Sequence, residues 1–244
     1  MTLGRFHGQT VRMGRLVLAV WTAVATGVVL APVGSGAADA PQTVSVPRPG
    51  GKHLWIDAHE VTVKQFRACV AAGACTRDHF LSPHDPPCNY GAEHRNDYPM
   101  NCVDWDGADA YCRWSGGRLC KPEEWFDACR GPKNQDYPYA ATFDLAACNA
   151  ALHEPNTPFG DTEPAGKRAT CDGGYKGLRD MVGNVTEWVD ECKDTYCHFY
   201  GGAYTENPPL EDFASCKQVC AGNDKTFKSS TIGFRCCRDK RPAK

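Results

Sequence analysis

The chain has 244 residues, 42% hydrophobic and 23% charged, with a formal net charge of −2. These proportions exclude a fibrous, coiled-coil or disordered chain, and the balanced charge excludes nucleic acid and anionic membrane surfaces as electrostatic partners. Fifteen cysteines are far more than a cytosolic domain carries.

Residues 1–40 read as an export signal. Arg5, Arg12 and Arg15 precede the apolar run LVLAVWTAVATGVVLAPV, and GSGAADA offers small residues for cleavage between Ala37 and Ala40. The run is long enough for an uncleaved N-terminal anchor to be the competing reading. The remainder is expected outside the cytosol, in the periplasm or extracellular space, with no membrane contact beyond that segment. Without residues 1–40 the chain keeps 24 basic and 28 acidic residues, a net charge of −4. Every cysteine lies between Cys69 and Cys237, so an exported chain is expected to oxidise them to disulfides, with one thiol left by the odd count. Zinc is the alternative, but there is no C-x-x-C, and the eight histidines form no H-E-x-x-H.

Residues 41–51 are rich in Pro and Gly and read as a linker into a domain spanning 46–244. Leu54 and Ile56 then alternate as in a strand. Thr62 and Gln65 fit a capping box that starts a helix burying Phe66, Cys69 and Val70; Gly73 ends it, and Cys75 can fold back on Cys69. Residues 76–101 are polar and aperiodic, a surface loop carrying Cys88. Asp104 is the predicted cap of a helix with Trp105, Ala108, Tyr111 and Cys112 at helical spacing and Gly116 as its stop. Pro122 begins another, with Glu123 and Glu124 complementing its dipole and Gly131 closing it. A long irregular stretch follows. Three strand-like pieces, NVTEWVDE, HFYGGAY and IGFRCC, complete an α+β domain with short elements, no internal repeat and a need for staples. In the last piece the adjacent Cys236 and Cys237 are candidates for a redox pair, half a metal site, or two separate staples. On an extended strand they point to opposite faces and take different partners.

Four segments in this order, VDWDGADAYCRWSGGRLCKPEEWFDACRG, GLRDMVGNVTEWVDE, GGAY and IGFRCC, with WIDAHEVTVKQF before them, resemble the sulfatase-modifying-factor or formylglycine-generating enzyme family over residues 46–239. The resemblance implies a complex C-type lectin-like fold with long loops and bound calcium. It also implies that Cys112 pairs with Cys236 and Cys129 with Cys216. Cys120 stands where the family more often has proline, which makes it the candidate partner of Cys237. The remaining local pairs would be Cys69–Cys75, Cys88–Cys102, Cys148–Cys171 and Cys192–Cys197, with Cys220 left over.

The family's oxidases hold copper(I) between two cysteines, five residues apart, just after a GGS strand, and use oxygen to turn a substrate cysteine into formylglycine. Two soft thiolates suit copper(I), and oxygen ligands do not replace them. By the family's spacing those positions fall here on Glu206 and Glu211, with Ala203 in place of the serine and Thr186 in place of a tryptophan. A shifted thiol pair at Cys216 and Cys220, with Lys217 between them, is the candidate substitute; one structural and one spare cysteine is the plainer reading. The resemblance further implies a calcium site from the carbonyls of Asp180, Gly183 and Val185 and the side chain of Glu187, hard oxygen donors on a glycine turn. A second begins at Asn149, with Asp161 and Glu163 both near the expected acidic position.

Two functions are expected from this. The chain is a divergent family member without the copper-binding cysteine pair, binding a peptide, glycan or protein ligand. The alternative is a copper-dependent formylglycine-generating oxidase that converts cysteine in target sulfatases.

Overall fold

Residues 41–51 do not form a linker: Thr43–Arg48 is a strand (β1), hairpinned through Pro49–Gly51 onto Lys52–Asp57 (β2). The β-branched Thr43, Val44 and Val46 outweigh the prolines, because Pro47 lies on an edge strand, where a missing N–H is tolerated. The computed structural model describes residues 41–81, 88–151, 160–205, 210–217 and 221–242, all within one compact unit. The N-terminal segment 1–40 and Cys220 therefore lie outside the described residues.

Three helices follow the predicted caps. Val63–Ala71 (α1) is capped by Thr62, whose Oγ1 accepts the Gln65 N–H while Gln65 Oε1 accepts that of Thr62 at 2.8 Å. Asp104 accepts the Gly107 N–H at 2.9 Å to start Trp105–Trp114 (α2). Pro122–Arg130 (α3) begins on its proline and ends at Gly131, which has φ +61°. A single turn, Leu210–Phe213, is also helical.

The strands form two four-stranded sheets. Arg118–Leu119 (β3) lies at one edge of the first, whose order is β1-β2-β8-β3, with β8 formed by Cys236–Arg238. The second comprises Thr186–Lys193 (β4), Tyr196–Tyr200 (β5), Ala221–Asp224 (β6) and Ile232–Phe234 (β7), in the order β6-β5-β4-β7. β7 pairs with β4 in parallel, whereas β8 pairs antiparallel with both β2 and β3. The chain thus changes sheets at the single residue Arg235.

Two apolar clusters flank this crossing, and period-two alternation distributes the adjacent cysteines between them. Cys237 joins Leu54, Ile56, Trp125 and Leu178, while Cys236 joins Phe66, Met100, Tyr111 and Phe234. Their bonds accordingly diverge, Cys236 to Cys112 on α2 and Cys237 to Cys120 beside β3. The structure also joins Cys69 to Cys75, Cys88 to Cys102, Cys129 to Cys216, Cys148 to Cys171 and Cys192 to Cys197. These are the seven disulfide pairs named from the sequence; the thiol pair of Cys216 with Cys220 is not among them. Seven disulfides fit an oxidising compartment. Among the described residues no helix is long and apolar enough to cross a membrane.

Arg235 is fully buried and bonds both sheets. Its Nε reaches the Glu187 carboxylate at 2.7 and 2.8 Å and Nη2 reaches it at 2.6 Å. Nη2 also donates to the carbonyls of Arg179 and Asp180, each at 2.9 Å, and Nη1 to that of Asp57 at 3.2 Å. Trp125 Nε1 donates to the same carboxylate from α3 at 2.7 Å. Removing one partner strands a buried charge, so Arg235→Ala is expected to cost about 3–5 kcal/mol in denaturant unfolding. The paired replacement Arg235→Met with Glu187→Leu is expected to cost less than Arg235→Ala, because the Glu187 charge is not left unpaired.

Candidate functional site

The bend Gly201–Tyr204 leaves β5 beneath Trp125. Gly201 has φ +102° and Gly202 φ +68°, and a Cβ on Gly201 would come within 2.8 Å of the Met181 carbonyl and 3.0 Å of the Trp125 ring. Both conformation and crowding require glycine here. Ala203 is completely buried, and Tyr204 ties the bend down through its N–H to the Asn184 carbonyl at 3.0 Å and its hydroxyl to Ser230 at 3.0 Å. Beside the bend lies a pocket of about 100 Å³, lined by Thr186, Phe199, Gly201, Gly202, Phe213 and Lys217 among others. Thr186 turns its hydroxyl to the Thr231 carbonyl at 2.9 Å. Lys217 pairs with Asp212 at 3.1 Å at the rim.

The thiol chemistry weighed for this bend loses one of its members. Cys216 is completely buried and disulfide-bonded to Cys129, its N–H donates to the Asp136 carbonyl at 2.7 Å, and its own carbonyl accepts Arg130 Nε at 3.0 Å. A sulfur in a disulfide is neither a thiolate nucleophile nor a copper(I) ligand, so the shifted pair of Cys216 with Cys220 does not exist in this structure. Glu206 lies outside the described residues, and Glu211 falls within the short helical turn 210–213.

Two of the four donors expected for calcium at the turn 180–187, the Asp180 carbonyl and the Glu187 carboxylate, are engaged in another way. The turn has the left-handed residues it needs, Asp180 at φ +53°, Gly183 at φ +77° and Asn184 at φ +60°. Yet the Glu187 carboxylate accepts Arg235 and Trp125 through both oxygens, and the Asp180 carbonyl accepts Arg235. A dication would stand beside a buried guanidinium and compete for the same lone pairs. At the other loop the Asn149 carbonyl accepts the Asn184 N–H at 2.7 Å. As arranged, the Glu187 carboxylate and the Asp180 carbonyl do not fit calcium.

Two features had no signal in the sequence. An open cleft of about 360 Å³ lies where α3 begins and β4 bulges away from β5, lined by Lys121, Phe126, Glu123, Asp190 and Glu191. Glu191 there takes His198 Nδ1 at 2.6 Å and the Tyr200 hydroxyl at 3.1 Å. The other feature is Glu60, fully buried beside the Asn184 turn. Its Oε1 accepts Asn184 Nδ2 at 2.9 Å, while Oε2 has no partner. Burial first, and then the neighbouring Asp180, push the Glu60 carboxyl well above its ordinary range.

Fold and site together define a loop-rich, disulfide-stapled α+β domain built around a glycine bend. The chain belongs to the sulfatase-modifying factor enzyme 1-like domain family, whose model matches residues 23–240. The formylglycine-generating enzyme of Bos taurus is 28% identical over 173 residues, 61% of this chain and 46% of that protein. The inactive C-alpha-formylglycine-generating enzyme 2 of Bos taurus is 37% identical over 159 residues, 60% of this chain and 52% of that protein. The chain thus spans about half the length of the curated relatives it matches. PvdO from Pseudomonas aeruginosa superposes with a TM-score of 0.58 at 19% identity, covering 82% of this chain and 92% of that one, a likeness of fold.

The raised Glu60 carboxyl sets a pH dependence. A carboxyl that holds its proton more tightly when folded contributes stability that is complete below its unfolded pKa, about 4.3, and lost as pH rises towards the folded value. Glu60→Gln keeps the acceptor for Asn184 and removes the ionisable group. It is expected to raise stability near pH 8 by about 1–3 kcal/mol, the scale of a buried unsatisfied polar group. Unfolding curves of the two proteins should converge near pH 4.

Proposed function

We propose that this chain is an exported, non-oxidase member of its family whose loops around the Gly201–Tyr204 bend bind a peptide, glycan or protein ligand. The observation that carries this reading is the cysteine inventory. Among the described residues all fourteen cysteines are joined in seven disulfides, and the fifteenth, Cys220, lies outside the described residues. Copper(I) oxygen activation of the family's type needs two converging thiolates, and one sulfur does not form a linear clamp. Carboxylates at 206 and 211 are hard donors and do not replace it. Thr186 and Ala203, in place of the family's tryptophan and serine, extend the divergence to the residues around the bend.

Similarity to a relative named as inactive supports the same reading, and the pocket beside Thr186 offers a recess for a small side chain or sugar group of the ligand. Export through residues 1–40 to the periplasm or beyond supplies the oxidising surroundings that seven disulfides need.

The alternative, a copper-dependent oxidase forming formylglycine in sulfatases, is favoured by the 28% identity with the bovine enzyme. The two are separated by incubating the purified protein with copper(I), oxygen and a C-x-P-x-R peptide, then weighing the peptide. The non-oxidase reading predicts no mass change from thiol to aldehyde, whereas turnover to the aldehyde overturns it.

A further inference from the structure

The acidic residues placed to face calcium each face an arginine. Glu187 is held by the fork of Arg235, as described above. Near Asn149, Arg168 grips Glu163 with Nε at 3.0 Å and Nη2 at 2.9 Å, and its Nη1 donates to the Cys148 carbonyl at 2.8 Å. Arg95 does the same for Asp161, with Nη1 to Oδ1 at 2.8 Å and Nη2 to Oδ2, and reaches Asn89 Oδ1 at 2.7 Å.

Two of these forks add to other bonds between the same segments, such as Asn89 to Thr162 at 3.1 Å and the Cys148–Cys171 disulfide. Arg95 ties the loop after α1 to residue 161, and Arg168 ties residue 163 to the carbonyl of a disulfide-bonded cysteine. Asn149 meanwhile points its Nδ2 at the Asp161 carbonyl and at Asn184 Oδ1, at 3.0 and 3.2 Å. The Arg168 bond holds the Glu163 carboxyl below its usual range, consistent with an ionised partner. Calcium takes six to eight oxygens, generally including carboxylates free to ligate it. Among the described residues no group of three or more His, Cys, Asp or Glu is arranged to hold a metal ion. A guanidinium is always charged, and its planar donors match a carboxylate edge.

We propose that Arg235, Arg168 and Arg95 occupy the electrostatic role of structural calcium, so that this chain holds its long loops with arginine–carboxylate forks and takes no divalent cation at the 180–187 turn or the Asn149 loop. This stands whether or not the chain is an oxidase.

The test uses the purified full chain, exchanged through chelator-free buffer. Its calcium content is measured by elemental mass spectrometry and its thermal unfolding is followed in excess EDTA and in excess calcium chloride. Arg168→Ala is run in EDTA beside it. The expected result is no stoichiometric calcium, one Tm in both solutions and a lower Tm for Arg168→Ala. Stoichiometric calcium, a native Tm that falls in EDTA and returns with calcium, or an Arg168→Ala protein with the native Tm would each overturn the proposal. If Arg168→Ala does not fold, the native measurements decide.

Discussion

One buried guanidinium holds this fold together. Arg235 sits at the single residue where the chain passes from β7 to β8, and so from one sheet to the other. Its donors reach the end of β2, the 179–180 turn and Glu187 on β4, and Trp125 brings α3 to the same carboxylate. A charge so far from water is tolerable only when its fork is filled and its counter-charge is fixed. Both conditions are met by elements far apart in sequence, which fixes how the two sheets meet. The neighbouring pair repeats the logic: Asp57 accepts the Cys236 N–H at 3.0 Å and the Arg238 guanidinium, so both arginines around the two cysteines are anchored to buried acids.

Around this crossing the disulfides serve different ends. Cys112–Cys236 and Cys120–Cys237 close loops of over a hundred residues and fasten opposite faces of one strand to a helix and to an edge strand. In the chain-entropy view such long closures constrain the unfolded state most, each by about 4–5 kcal/mol. Cys69–Cys75 and Cys192–Cys197 close only six and five residues and mainly shape their local turns. With so little regular structure among the described residues between 131 and 185, crosslinks and arginine forks supply the order that helices and strands provide elsewhere.

Much of this was legible in the sequence because it rests on local rules. Thr62 with Gln65, Asp104, and Pro122 with Gly131 state where helices start and stop, and each acts through bonds spanning three or four residues. The opposed faces of Cys236 and Cys237 follow from strand periodicity alone, while the bonds between distant cysteines came from family resemblance. Residues 41–51 misled because proline and glycine counts hid the β-branched Thr43, Val44 and Val46 and the tolerance of an edge strand for Pro47. The partner of Glu187 was not legible: that Arg235 would fill its carboxylate is a long-range fact, as are the fork from Arg95 to Asp161 and the single bond from Trp125 to Glu187. The unpartnered oxygen of Glu60 is also a product of packing, with no mark in the chain around it.

The central claim is that sulfur in this protein is structural, spent on crosslinks around a buried ionic crossing. Disulfide mapping tests it most directly: alkylate the folded protein, digest it without reduction and identify the linked peptides by mass. The account predicts Cys112 linked to Cys236, Cys120 to Cys237 and Cys129 to Cys216, with Cys220 as the alkylated residue. Alkylation of both Cys216 and Cys220 in the folded protein would contradict it and return a dithiol to the bend.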